Sequence, residues 1–157
     1  MWRNKMNQGL FDLLSDADFV VEKSWIRTNY LEQEIVFKQG EDAESLFLVL
    51  EGSVNVQSDA DQNDQNINSK VACIEKGEVF GEFCLFENLP REFTVIADKS
   101  CCLAEINRDI LLQFFEQHPE RGYKVMADLL GAVVKRLRKS NKRTLSLLSW
   151  GMKSRTL

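Results

Sequence analysis

The residues best suited to chemistry lie in one stretch near the middle of the chain. Gly81 and Glu82 are followed, nine residues after the glutamate, by Arg91. Gly81 lets the backbone approach a ligand closely, and a short helical turn that begins after it would present free N–H groups to an anion. A carboxylate accepts hydrogen bonds from sugar hydroxyls, and a guanidinium fork matches a phosphate. The set suits a ribose with a cyclic phosphate, whereas the alternative is a surface Glu–Arg pair of little energetic weight.

The elements that must position these residues are predicted to be β-strands. Between residues 34 and 106, short apolar or alternating runs are separated by glycines and polar clusters, as is typical of an all-β barrel or sandwich. Gly40 and Gly52, flanked by β-forming residues, indicate tight turns between strands. The polar segment Ser58–Ser69 is predicted to be a mobile hairpin loop. The expected strands are Glu34–Phe37, Ser45–Leu50, Ser53–Val56, Lys70–Ile74, Glu78–Phe80, Phe93–Ala97 and Cys102–Ile106.

Helices are predicted on both sides of the barrel, within one domain that covers residues 1–157. An apolar cluster that starts at Leu10 predicts an N-terminal helical segment over about 10–30. After residue 107 the period is helical up to about residue 150, with a tail over 151–157. Asn107 is suited to cap a helix that runs through Phe115, and Pro119 is suited to the first turn of the next one.

The last helix carries a heptad pattern. Its apolar residues recur at alternating steps of four and three once Ser140 is included, which is the pattern of a coiled-coil seam. A helix that packs only on its own barrel usually needs a wider apolar face. The pattern therefore predicts a homodimer through this helix. The seam residues are Met126, Leu130, Val133, Leu137, Ser140, Thr144 and Leu147.

The barrel glycines together with Gly81-Glu82-Phe83-Cys84-Leu85 and Pro90-Arg91 resemble the cyclic nucleotide-binding domain family. The likeness runs from about residue 15 to 150 and is closest to the regulatory domain of the catabolite activator proteins, without their DNA-binding domain. It implies a mainly β fold, an eight-stranded jelly-roll-like β-barrel flanked by helices and followed by a long C-terminal helix. We call residues 81–91 the cassette, after the phosphate-binding cassette of that family.

The resemblance also implies roles for individual residues. The amides of Gly81, Glu82, Phe83, Cys84 and Leu85, together with Arg91, would hold the cyclic phosphate, and Glu82 would take the ribose 2′-hydroxyl. Val56 and Val71 fall where barrel side chains line the base pocket. On the last helix, Ser140 and Asn141 match two positions that touch the base, with Arg136 one turn earlier. The expected ligand is cAMP or cGMP, with no other cofactor, and ligand binding would reposition the last helix.

The sequence departs from the family pattern directly after Arg91, where two small residues are usual and this chain has Glu92 and Phe93. A carboxylate within about 4–6 Å of a phosphate repels it or occupies its arginine partner. Three interpretations follow. The pocket binds a mononucleotide weakly with Glu92 turned aside, or Glu92 accepts the N–H groups of a guanine nucleotide, cyclic dinucleotides included. The third is a degenerate, ligand-free dimerising protein-interaction module.

The remaining composition argues against several other function classes. The chain has one histidine, and its four cysteines follow no metal-ligand spacing, so neither an enzyme nor a metal site is expected. No apolar run approaches the roughly 20 residues that span a bilayer, and no signal peptide is evident, so a cytoplasmic location is expected. Few residues follow the last helix, and we expect an unidentified downstream protein partner rather than sequence-specific DNA binding.

Charge is distributed unevenly along the chain. The net charge of −4 divides into +8 from Gly131 onward and −12 over the first 130 residues. A basic end on an acidic body is suited to nucleic acid, anionic lipid or an acidic partner, or to packing against the body itself.

Overall fold

The computed structural model describes residues 7–20, 23–58 and 69–153 of the 157-residue chain. Its short first helix is followed by eight strands and two further helices. In chain order these elements are α1 Gln8–Leu14, β1 Trp25–Tyr30, β2 Ile35–Phe37, β3 Ser45–Glu51, β4 Ser53–Ser58, β5 Ser69–Glu75, β6 Val79–Phe80, β7 Thr94–Ala97, β8 Cys101–Asn107, α2 Arg108–Gln117 and α3 Pro119–Lys153. A 3₁₀ turn over Glu82–Leu85 lies between β6 and β7.

The strands form two antiparallel four-stranded sheets, in the orders β1-β8-β3-β6 and β2-β7-β4-β5. This arrangement confirms the predicted jelly-roll-like barrel with flanking helices and a long C-terminal helix. The interior between the sheets is filled by apolar side chains from both. They include Phe47 and Val49 from β3, Val54 from β4, Val95 from β7 and Leu103 from β8.

Strands β3 and β8 are buried on both faces, which explains their nearly continuous apolar sequence. Leu46 and Leu48 alternate with the interior residues of β3 and pack on the helices instead. On that outer face they meet Leu10 of α1 and Val125 and Leu129 of α3. The first three turns of α3 are thus part of the core of the domain.

The N-terminal helical segment predicted over about 10–30 is shorter than expected. Helix α1 covers Gln8–Leu14 only, and Trp25–Tyr30 is strand β1, paired along its whole length with β8 from Ile106 to Cys101. The strand alternates poorly between buried and exposed residues, so local periodicity does not reveal it. Its conformation is set by the partner strand, a long-range contact that overrides local pattern.

The other predicted elements agree with the structure to within about two residues at most ends. Each of the seven predicted strands is present. The predicted polar loop connects β4, which ends at Ser58, with β5, which begins at Ser69. Residues 59–68 lie outside the described part of the chain.

The two C-terminal helices begin where the sequence predicts. The Asn107 side chain accepts hydrogen bonds from the backbone N–H groups of Asp109 and Ile110, which caps α2. Helix α3 begins at Pro119 and continues to Lys153, beyond the predicted end at about 150. From Leu137 to Met152 its side chains are exposed. In the described residues no helix is long and apolar enough to cross a bilayer.

Candidate functional site

The cassette begins at a backbone conformation that requires glycine. Strand β6 ends at Phe80, and Gly81 follows with φ = 72°, in the left-handed region that other residues rarely adopt. A Cβ added at Gly81 would lie 2.7 Å from Nη1 of Arg91. The glycine therefore serves two purposes, the turn itself and the close approach of the Arg91 guanidinium to the backbone.

The 3₁₀ turn after Gly81 divides its residues between core and surface. Glu82 and Cys84 are buried, Leu85 is partly buried against the helix-side core, and Phe83 is half exposed. Burial raises the pKa of the Cys84 thiol to about 11, so this thiol is neutral near pH 7. The first N–H groups of such a turn lack partners within it. These N–H groups are the ones that the predicted role would use for an anion.

Arg91 is a buried cation held by neutral groups. Its side chain donates from Nη2 to the Ser45 carbonyl oxygen at 2.7 Å and from Nη1 to the Gly81 carbonyl oxygen at 3.3 Å. Its Nε is buried without a hydrogen-bond partner. Among the described residues no carboxylate forms an ion pair with it. Burial lowers the pKa of Arg91, which is the expected effect of desolvation on a cation.

Two further residues hold Arg91 and were not assigned to the site by the sequence. The guanidinium carbon lies 4.1 Å from the ring centroid of Phe37, a cation–π contact, and Ser45 supplies the carbonyl described above. Both belong to the run of strand and turn residues around Gly40 that identified only the barrel. Their position in this run was the only sequence signal for them. No local pattern shows that the fold of the barrel brings the run into contact with Arg91.

Glu82 connects the cassette to the last helix. Its side chain is 2% exposed and forms a salt bridge with Arg136 of α3, whose side chain is 36% exposed. An unpaired carboxylate so deeply buried would be costly, so the pairing with Arg136 stabilises it. The predicted site residues Gly81, Glu82, Arg91 and Arg136 are thus brought together, in a chain of direct contacts.

Glu92 and Phe93 are the two residues that depart from the family pattern directly after Arg91. Glu92 is exposed, and no ion pair links it to Arg91 in the described part of the chain. It lines a shallow cavity of about 180 Å³ together with Phe83, Phe86 and Glu87. Phe93 is half-buried. The geometry matches the interpretation in which Glu92 is turned aside, and it leaves the Glu92 carboxylate available to a ligand that extends outward.

The two predicted base-pocket valines lie on neighbouring strands, β4 and β5. Val56 is half-buried and packs on the barrel interior, while Val71 is 37% exposed. An additional residue of α3 that the sequence did not identify reaches this place: Arg143 donates from Nη1 to the Val71 carbonyl oxygen at 3.0 Å. Beyond its buried first turns, helix α3 therefore contacts the barrel through two arginines, Arg136 on Glu82 and Arg143 on Val71.

Ser140 and Asn141 remain apart from the cassette residues within one chain. Both are exposed, and the Ser140 carbonyl oxygen accepts a bond from the Thr144 hydroxyl within α3 itself. Their contact with a base stays a prediction. No group of three or more histidine, cysteine or acidic side chains in the described residues is arranged to hold a metal ion.

Replacing Gly81 by alanine is expected to lower the free energy of unfolding by about 1 kcal/mol more than replacing Gly40 by alanine. Both glycines have positive φ, so both variants incur backbone strain of about 1–2 kcal/mol. Only at Gly81 does the added Cβ also displace Arg91 from its carbonyl partners, since nothing lies within 4 Å of a Cβ at Gly40. Urea denaturation of both variants measures the difference. Equal losses of unfolding free energy would contradict the close contact between Gly81 and the Arg91 guanidinium.

A protein-family model matches the part of the chain that forms the barrel and the cassette. The model described as cyclic nucleotide-binding domain matches residues 27–118, more than half of the chain. The matched segment includes every strand from β2 to β8 and the whole cassette. It ends before α3, so the features of that helix described above lie outside the match.

Individual proteins give the same picture. A cyclic nucleotide-binding domain from Methylobacillus flagellatus has a similar structure, with a TM-score of 0.74 and 24% identity over 93% of this chain and 76% of that chain. The cyclic-di-GMP-responsive global regulator CLP of Xanthomonas campestris has a TM-score of 0.72 and 26% identity over 80% of this chain and 60% of that chain.

The curated relatives are much larger proteins. A cGMP-dependent protein kinase of Plasmodium berghei is 30% identical over 103 residues, which cover 65% of this chain and 11% of the kinase. Other curated relatives are covered to between 7% and 21% of their length. The likeness is thus to one module of such proteins, and their whole activities are not carried by the matched segment.

Proposed function

The chain belongs to the cyclic nucleotide-binding domain family, and from that membership we propose that it is a regulatory sensor, not itself an enzyme, which binds cAMP or cGMP through the cassette. The observation that carries the proposal is Arg91. It is a buried guanidinium with no carboxylate partner among the described residues and with an unsatisfied Nε. A cyclic phosphate, which is a monoanion, would supply the missing charge.

The salt bridge between Glu82 and Arg136 suggests how nucleotide binding at the cassette would change the position of α3. The Glu82 carboxylate pairs with Arg136 of α3. A ribose hydroxyl that donates to Glu82 would compete with Arg136 for that carboxylate, while the phosphate between Arg91 and the turn would attract the Arg136 cation. The ligand would thereby change the Arg136–Glu82 contact that links this part of α3 to the barrel. Its effect on the helix is limited to its difference in affinity for the two positions.

Hydrogen–deuterium exchange tests this coupling. Adding saturating cGMP or cAMP is expected to change amide exchange in two places, the cassette and the α3 segment around Arg136. The Arg136→Ala variant should bind nucleotide with the cassette still protected but with a smaller change in α3. If nucleotide protects the cassette and leaves α3 of the wild type unaltered, the proposed repositioning of the helix is wrong.

A homodimer through α3 is part of the proposal. Leu130 and Leu137 of the predicted seam are 64% and 58% exposed, while Val125 and Leu129, on the adjacent face, are buried against the barrel. One face of the helix thus serves the domain, and the neighbouring apolar stripe is available to a second copy. Ser140 and Asn141 lie along the same exposed part of α3, so the partner helix would bring them near a nucleotide.

A second candidate ligand is a cyclic dinucleotide, favoured by the exposed Glu92. Its carboxylate and the rings of Phe83 and Phe86 surround the cavity beside the cassette, where a guanine could stack and donate its N–H groups. The similarity to a cyclic-di-GMP-responsive regulator supports the same idea. Tighter binding of cyclic di-GMP than of either mononucleotide would favour this candidate.

A further inference from the structure

The pairing of β4 with β5 contains an irregularity at the predicted base pocket. Val56 is opposite Ala72, but the next residue of β4, Gln57, is opposite Lys70. Val71 is therefore the additional residue of a β-bulge on β5. A bulged residue is left out of the regular ladder, so its backbone groups are free to bond elsewhere.

Arg143 uses the carbonyl group that the bulge makes available. Its Nη1 donates to the Val71 carbonyl oxygen at 3.0 Å, across 72 positions in sequence. Arg136, which pairs with Glu82, precedes Arg143 by seven residues, about two helical turns, and so lies on the same side of α3. The helix consequently passes from the cassette, where the ribose and phosphate would bind, to the bulge, where the base would lie.

The remaining donors of Arg143 determine what it can recognise. A guanidinium carries five N–H groups in a rigid fork, and only one of its nitrogens is engaged with Val71. The fork matches two adjacent acceptors, such as O6 and N7 of guanine, and this bidentate pairing is a common means of reading that base. Adenine presents N7 next to an amino group, which is itself a donor and opposes the second N–H.

We propose that Arg143, anchored on the bulge at Val71, is a base-recognising residue that selects guanine over adenine, so that the preferred ligand is a guanine cyclic nucleotide. This inference rests on the proposed function and adds the identity of the base to it. The bulge orients the guanidinium through one nitrogen and leaves the other donors for the base. In this arrangement the edge of guanine that carries O6 and N7 would face α3.

Calorimetric titrations with cGMP and cAMP test the proposal in the wild-type chain and three variants. Wild type is expected to bind cGMP at least about tenfold more tightly than cAMP, the size of discrimination a bidentate pair provides. In Arg143→Ala the preference should fall to within about threefold, mainly through weaker cGMP binding. Arg143→Lys keeps the charge without the fork and should lose most of the preference as well. Lys142→Ala removes the neighbouring charge and should leave the preference unchanged.

The outcomes separate this inference from the proposed function. Retained cAMP binding in Arg143→Ala shows that the variant is folded, so a lost preference then reports on the base alone. Equal affinities in the wild type, or an unchanged preference in Arg143→Ala, would overturn the role of Arg143 while leaving the sensor intact. Absence of binding to both nucleotides in the wild type would overturn the proposed function and this inference with it.

Discussion

Replacing Arg91 by alanine is expected to weaken cyclic nucleotide binding by about 100-fold or more. The variant loses the only buried cation of the cassette that lacks a carboxylate partner in the described residues, and with it the charged hydrogen bonds to the phosphate. Two such bonds at about 1.5 kcal/mol or more each amount to about two orders of magnitude in the dissociation constant. Isothermal titration of wild type and variant gives the difference directly.

Stability measurements distinguish loss of binding from loss of the fold. Alanine at 91 removes the contact with Phe37 and two bonds to carbonyl groups, but it also removes a desolvated charge, so the two effects partly cancel. We expect a cooperative unfolding transition in Arg91→Ala. Arg27→Ala, at an exposed position of β1, removes the same side chain elsewhere and should bind as wild type does. Equal affinities in Arg91→Ala and Arg27→Ala would exclude Arg91 as the phosphate ligand.

Replacing Leu130 by glutamate is expected to convert the proposed homodimer to a monomer. Leu130 is 64% exposed in a single chain, so the substitution leaves the core of the domain intact. In the dimer the carboxylate would be buried opposite its own symmetry mate, which combines desolvation with like-charge repulsion. Sedimentation velocity should show one species of about half the wild-type mass.

A matched variant controls for the added charge. Ser146→Glu places a carboxylate on the exposed C-terminal part of α3, about 160° around the helix axis from Leu130. This variant should remain dimeric. An unchanged mass in Leu130→Glu would refute dimerisation through this seam. A wild-type chain that sediments as a monomer would refute it as well, and the polar pair Ser140 and Asn141 would then have no partner helix to bring them to a nucleotide.

Much of the barrel was predictable because its strands carry strong local signals. The continuous apolar run of β3, the alternation of β4, the Asn107 cap and Pro119 are all signals that span only a few residues. Strand β1 was missed because its conformation depends on pairing with β8, more than 70 residues later. The end of α3 was underestimated since its last turns are exposed, and helix propensity there gives no sharp stop signal.

The same distinction between local signals and long-range contacts applies to the candidate site. The interval from Gly81 and Glu82 to Arg91 is local, and Arg91 bonds to the Gly81 carbonyl oxygen. The salt bridge of Glu82 with Arg136 of α3 was not predicted. The residues that hold Arg91, namely Phe37 and Ser45, come from strands 46 to 54 positions earlier. The contact of Arg143 with Val71 depends on a one-residue bulge that no sequence pattern reveals. These contacts depend on how distant segments pack together, which residue types alone do not reveal.

The position of Glu92 shows the limit of charge arguments made from sequence spacing. Its place next to Arg91 in the chain predicted either repulsion of a phosphate or capture of the arginine. In the structure the two side chains separate, with Arg91 8% exposed and Glu92 at the surface. A ligand-free interaction module therefore draws no support from Glu92, because the arginine remains uncompensated by it.

The central claim is that a cyclic nucleotide completes the charge of Arg91. Its most direct test is calorimetric titration of the dialysed wild-type protein with cAMP and then with cGMP. The account predicts saturable binding of at least one of them, lost in Arg91→Ala. Heat changes no larger than those of dilution for both nucleotides would contradict it, and would identify the chain as a member of the family that has kept the barrel without the ligand.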